Sequence, residues 1–171
     1  MLDECLNAAV LNPNLIGPTL PSIPPFTLPT GVTGPNLSGT FIEVVQNGSN
    51  QTVTPADPFI FNSQPIASNI TFNGSDTLTI IDSGTYTIGF YVGISITNTT
   101  TPIIISVSIN GTTTGQRTME LDTTAGEIST TLIRNLVAGD NIQLINNSTG
   151  PLITSPSNGF QSLRLIIYRI F

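Results

Sequence analysis

The 171 residues are enough for one domain with a sizeable core and a tail. Only 8% of them are charged, the net charge is −6, and the four basic residues, Arg117, Arg134, Arg164 and Arg169, are scattered. That balance excludes the dense positive charge by which proteins hold nucleic acid or anionic membranes, so neither is an expected partner. The chain holds 23 isoleucines, 26 threonines and 16 asparagines but no lysine, histidine or tryptophan. β-Branched residues favour pleated, half-buried strands, and Asn and Gly favour the turns between them. The expected fold is therefore all-β. With so little charge to keep copies apart, self-association is the expected tendency.

The opening residues, Met1 to Cys5, carry no positive region and no long apolar run, so they do not read as a secretory signal peptide. Cys5 is the single cysteine. It reads either as a free thiol near the terminus or as half of an intermolecular disulfide that staples the terminus to a partner. No segment reaches the roughly 18 apolar residues of a membrane span.

Residues 11–36 contain Pro13, Pro18, Pro21, Pro24, Pro25, Pro29 and Pro35. Proline at that density prevents both a helix and a central strand, leaving extended or polyproline II chain. Between the prolines stand Leu11, Leu15, Ile16, Leu20, Ile23, Phe26 and Leu28. A free tether is ordinarily polar, so apolar residues on a stiffened chain read as a docking arm rather than an inert linker. The expected division is an arm over residues 1–38 and a head over residues 39–171.

From residue 40 the pattern changes to short β runs. Candidate strands cover residues 40–46, 58–61, 66–72, 77–82, 85–96, 103–109, 116–121, 128–137, 141–145 and 161–171. Turn pairs punctuate them: Asn47-Gly48, Asn73-Gly74, Ser83-Gly84, Asn110-Gly111 and Gly139-Asp140. Roughly ten short strands so spaced predict a sandwich or jelly roll.

Alternation is cleanest in Tyr86, Ile88, Phe90, Val92, Ile94 and Ile96, which face a core. Thr87, Gly89, Tyr91, Gly93 and Ser95 line the other face, small enough for another surface to approach. The last run is apolar on both sides: Leu163, Leu165 and Ile167 on one, Ile166, Tyr168 and Ile170 on the other. A strand apolar on both sides is covered on both sides. The expected cover is a neighbouring subunit, through an interface at Tyr91, Ile166, Tyr168 and Ile170. The alternative cover is the protein's own arm.

The stretch Leu11-Asn-Pro-Asn-Leu-Ile-Gly-Pro-Thr-Leu-Pro-Ser-Ile-Pro-Pro-Phe-Thr-Leu-Pro-Thr-Gly31 resembles the exosporium leader of the BclA-type collagen-like glycoproteins of Bacillus spores. Three later motifs resemble the C1q/TNF-like jelly roll that ends those proteins. They are Ser83-Gly-Thr-Tyr-Thr-Ile-Gly-Phe90, Leu136-Val-Ala-Gly-Asp-Asn-Ile-Gln-Leu144 and Ser162-Leu-Arg-Leu-Ile-Ile-Tyr-Arg-Ile170. The resemblance implies a homotrimeric head, assembly at the spore surface through the leader, and no catalysis.

One departure matters. The family places a long run of Gly-X-Y triplets between leader and head, whereas only Gly31-Val-Thr-Gly34-Pro-Asn stands here. Two triplets cannot sustain a collagen helix. The leader then adjoins the head, and the chain reads as a subunit of a spore-surface fibre or of the exosporium. Its arms, through Leu11, Pro13, Leu15, Ile16, Pro18, Leu20, Ile23, Pro25, Phe26 and Leu28, would dock onto the next trimer or a basal-layer protein. Heterologous contacts of that kind propagate into open filaments. The expected location is the spore surface, with deposition from the mother cell. The alternative within the family is a C1q-like binding or adhesion module anchored singly, with recognition through loops 97–101 and 148–158. A phage fibre knob also trimerises through a β-rich head, but the leader disfavours it.

No enzyme is expected. Without histidine there is no Ser-His-Asp or Cys-His set, and without lysine no Schiff-base chemistry. One cysteine cannot hold zinc. The nearest approach to a calcium site, Glu120, Asp122 and Glu127, reads by default as solvated loop acids. No cofactor or metal is expected. Nine Asn-X-Ser/Thr sequences follow from the abundance of Asn and Thr and carry no information on their own.

Overall fold

A computed structural model describes residues 39–95, 102–119, 126–155 and 161–171. The arm candidates and Cys5 lie outside the described residues, as do Glu120, Asp122 and the loop 97–101. Among the described residues twelve strands follow in chain order: β1 (Phe41–Asn47), β2 (Thr52–Val53), β3 (Ser63–Ser68), β4 (Ile70–Phe72), β5 (Leu78–Ile80) and β6 (Gly84–Ile94). Then come β7 (Ile103–Ile109), β8 (Thr112–Met119), β9 (Gly126–Leu136), β10 (Asn141–Asn146), β11 (Leu152–Ile153) and β12 (Gln161–Arg169). They form two antiparallel five-stranded sheets, ordered β3-β1-β12-β6-β9 and β4-β5-β10-β7-β8, with β11-β2 as a separate pair. The architecture is an all-β jelly-roll sandwich.

The period of two in β6 explains why the sheets stack. Tyr86, Ile88, Phe90, Val92 and Ile94 are all at most 4% exposed. Ile42 and Val44 from β1 and Leu163, Leu165 and Ile167 from β12 join them, facing Leu78, Ile80, Ile103, Ile105, Val107, Ile142 and Leu144 of the second sheet. Each such side chain contributes about 1.5–3 kcal/mol of burial. The head closes end to end, because β1 pairs with β12 from Phe41↔Tyr168 to Asn47↔Gln161.

The Asn110-Gly111 turn has the expected chemistry. Both residues have positive φ, 51° and 79°, in a two-residue link between Ile109 and Thr112. That twist suits a hairpin. Ser83-Gly84 is not such a turn. Gly84 opens β6, and a Cβ there would lie 2.4 Å from both Arg169 Nε and the Phe171 carbonyl oxygen. The glycine admits the returning C-terminal segment.

Three expected strands differ; the run expected from residue 116 begins at Thr112, as β8. Residues 66–72 are two strands in different sheets: β3 pairs with β1 and β4 with β5. Asn69, at φ 55°, breaks the run where the chain crosses between layers. Residues 58–61 form no strand. Pro58 lacks an N–H and makes a single bridge to Ile145. The Phe59 N–H donates to the Leu144 carbonyl and the Phe61 N–H to that of Ser75, so no single ladder exists, although both rings are buried.

Candidate functional site

The candidate site is the outward face of the first sheet. Along β12 the core-facing Leu163, Leu165 and Ile167 alternate with Arg164, Ile166 and Tyr168, which stand on the other side. Strand register sets the rows of that face. Ser68, Phe41, Tyr168, Thr87 and Ile133 align across β3, β1, β12, β6 and β9. Beside them run Ile66, Glu43, Ile166, Gly89 and Thr131. A third row places Arg164 between Val45 and Tyr91, with Ser129 next.

These rows leave large apolar side chains uncovered. Ile66 is 54% exposed, Ile133 57% and Tyr168 48%. Gly89 supplies no side chain, and beside it lies a depression of about 230 Å³ lined by Gly89, Tyr91, Ser129, Thr131, Arg164 and Ile166, among others. The face therefore has both projections and a recess, the relief that lets two protein surfaces interlock.

Its few charges are paired. Glu43 Oε1 accepts from Arg164 Nε at 2.6 Å. The Tyr91 hydroxyl donates to Glu127 Oε1 at 2.8 Å. Burial, then the hydrogen bond and the negative charge of Glu127, raise the Tyr91 pKa above its ordinary value.

Sequence reasoning named Tyr91, Ile166, Tyr168 and Ile170. The first three share this face. Ile170 lies past the end of β12, where its N–H donates to the Thr85 carbonyl at 2.7 Å. The sequence reading missed Phe41, Ile66 and Ile133. Ile133 shares the parity of Ser129 and Thr131 in a clearly alternating strand, which was the available signal. Glu127, the described member of the calcium candidate, serves instead as the Tyr91 acceptor. Among the described residues no cluster of three metal-ligating side chains occurs, and no helix is long and apolar enough to cross a membrane.

A second set of buried polar groups was also not anticipated. Gln46 Oε1 accepts from Ser162 Oγ at 2.9 Å, from Gln51 Nε2 at 2.9 Å and from Thr154 Oγ1 at 3.3 Å. Asn146 is fully buried; its Nδ2 donates to the carbonyls of Val53 and Gly150, and its Oδ1 accepts from the Ser148 N–H. These networks hold β2, β11 and the loop before β11 in place, a structural role.

No protein-family model matches the sequence, and no curated protein matches it. Solved structures do match the fold. Murine APRIL superposes with a TM-score of 0.58 at 16% identity, covering 77% of this chain and 99% of that one. The Eiger TNF of S. frugiperda gives 0.59 at 13% identity over 78% and 93%. The globular domain of zebrafish complement 1qA gives 0.54 at 13% identity over 77% and 98%. The head is a C1q/TNF-like jelly roll. At these identities the likeness establishes the fold alone.

Proposed function

We propose that the protein is a structural, self-assembling subunit of a bacterial spore surface, in a fibre or in the exosporium. The head forms a homotrimer through the outward face of the first sheet. The proline-rich arm links each trimer to the next one or to a basal-layer protein. The observation that carries this reading is the apolar face itself: Ile66, Ile133 and Tyr168 stand uncovered on the same sheet face that holds the recess at Gly89. Large apolar groups left exposed on one sheet face mark an interaction surface. The leader-like segment at residues 11–31 supports the address.

The test is to prepare the full chain and a chain lacking residues 1–36, measure their masses in solution, and image both by electron microscopy. The fibre reading expects filaments from the full chain and isolated trimers from the shortened one. Monomers from both overturn the trimer. Filaments from the shortened chain, or monodisperse trimers from both, overturn the linking role of the arm.

A further inference from the structure

The outward face of the second sheet differs in kind from that of the first. A groove of about 350 Å³ is lined by Asn73, Thr77, Asn110, Gly111, Asn141 and Gln143. The β4–β5 hairpin supplies Asn73 and Thr77, the β7–β8 turn supplies Asn110 and Gly111, and β10 forms the floor. None of these side chains is charged. The volume lies at the low end of small-molecule sites.

The walls are fixed by their own hydrogen bonds. Asn73 Oδ1 accepts from the N–H groups of Ser75, Asp76 and Thr77, and its Nδ2 donates to Asp76 Oδ1. Asn110 Oδ1 accepts from the Asn141 N–H at 2.9 Å, while its Nδ2 donates to Asp140 Oδ1 at 2.7 Å. Asp140 is itself buried, and its second oxygen accepts from the Val137 N–H at 2.8 Å. The residues that line the groove carry neither a carboxylate nor a cationic side chain, so the lining itself selects for neither a cation nor an anion.

The floor residues are half engaged, in opposite senses. Asn141 Oδ1 accepts from Thr79 Oγ1 at 2.8 Å, which leaves its NH₂ as a donor toward a ligand. Gln143 Nε2 donates to Thr77 Oγ1 at 3.0 Å, which leaves its carbonyl as an acceptor. The two stand two residues apart on one face of β10, roughly 7 Å along the strand. A ligand that satisfies both must donate and accept within a short span and carry no charge. Hydroxyl groups on neighbouring carbons do so.

We propose that this groove binds a neutral carbohydrate, with Asn141 as donor, Gln143 as acceptor, and Asn73 and Asn110 as the positioning walls. So shallow and polar a site gives a single-site Kd on the order of 1 mM. Repetition of the groove on each head of an assembly raises the effective affinity for a polymeric glycan by about 10²-fold or more. The proposal does not depend on the fibre reading, because the groove is complete within one head.

The test passes the full chain over immobilised neutral glycans (mannan, dextran, and β-linked glucose and N-acetylglucosamine oligomers) and over hyaluronate as an anionic control. The unsubstituted protein should bind at least one neutral glycan in preference to hyaluronate, and the free parent sugar should compete at millimolar concentration. Combined Asn141→Ala and Gln143→Ala should weaken that binding at least about tenfold at unchanged Tm. Absence of binding to every neutral glycan overturns the proposal, as does equal or stronger binding to hyaluronate. Binding that survives the double substitution also overturns it.

Discussion

Glu43 and Arg164 meet across the β1–β12 ladder, Oε1 to Nε at 2.6 Å, beside the row in which Ile66 and Ile166 flank that same glutamate. The Arg164 side chain is 45% exposed and that of Glu43 15%. In a free head the half-exposed guanidinium leaves the pair partly screened, and it contributes up to about 1 kcal/mol. Covered by another subunit, it changes character, because removing one partner strands the other charge in an apolar interface. Glu43→Gln is therefore expected to leave the Tm of the head nearly unchanged while raising the trimer dissociation constant at least about tenfold. Glu43→Met combined with Arg164→Met should restore assembly. Sedimentation equilibrium reads both, and a Glu43→Gln protein that stays as tightly trimeric as the parent contradicts the interface assignment.

Gly84 has no room for a side chain. An alanine Cβ would meet the Phe171 carbonyl oxygen and Arg169 Nε, both at 2.4 Å. The arginine can swing aside, but the carbonyl is backbone and is held by the Thr85 N–H at 3.0 Å. Gly84→Ala should cost about 1–3 kcal/mol, seen as a lower urea midpoint at unchanged slope. Removing Phe171 together with the substitution should recover part of the loss. Equal stability of Gly84→Ala and the parent would show that the C-terminal segment does not rest on Gly84.

Tyr86 is wholly buried, and its hydroxyl donates to the Asp82 carbonyl oxygen. Burial raises its pKa, Arg169 opposes the rise, and Asp82 adds to it. Tyr91 shifts the same way. An acid whose pKa is higher folded than unfolded deprotonates first in the unfolded chain, so alkali favours unfolding. Stability should thus hold up to about pH 10, the unfolded tyrosine value, and fall as pH rises from there towards the folded values. Tyr86→Phe should flatten that fall while lowering stability at neutral pH through loss of the Asp82 hydrogen bond, by about 1 kcal/mol. Urea midpoints between about pH 8 and 11 decide the matter; an equally steep fall in the phenylalanine variant assigns it to other groups.

The strands of the core were legible because alternation is local. Tyr86 to Ile94 and Leu163 to Ile167 announce both period and inward face without reference to any partner. The Asn110-Gly111 turn was legible for a similar reason, since its two positive φ values are what that residue pair favours. Other features are fixed by residues distant in sequence. β2 and β11 are two residues each, and Gln51 and Thr154, 103 positions apart, lock the region through a 2.9 Å bond from the Gln51 N–H to Thr154 Oγ1. The break at Asn69 depends on the layer change, which no periodicity records. The exposed face was only half legible: Ile166 and Tyr168 stand out within their own strand, whereas Ile66 and Ile133 join them only once β3 and β9 are known to flank the same sheet.

Tyr168 offers the sharpest separation of folding from assembly. It lies between Phe41 and Thr87 in register, and its side chain stands on the face opposite the core-facing Ile167. At 48% exposure it contributes little that a folded single head requires. Tyr168→Asp should accordingly change the unfolding free energy of an isolated head by no more than about 0.5–1 kcal/mol. In a trimer that covers this face, the same carboxylate is buried without a partner, at a cost of several kcal/mol for each subunit. The expected result is a folded monomer at concentrations where the parent is trimeric, with the jelly-roll circular dichroism spectrum intact. Lowering the pH below about 4 neutralises the new carboxylate and should restore part of the association. A Tyr168→Asp protein that remains trimeric at neutral pH would move the interface off this sheet, because a trimer that tolerates a charge at Tyr168 leaves that residue in water.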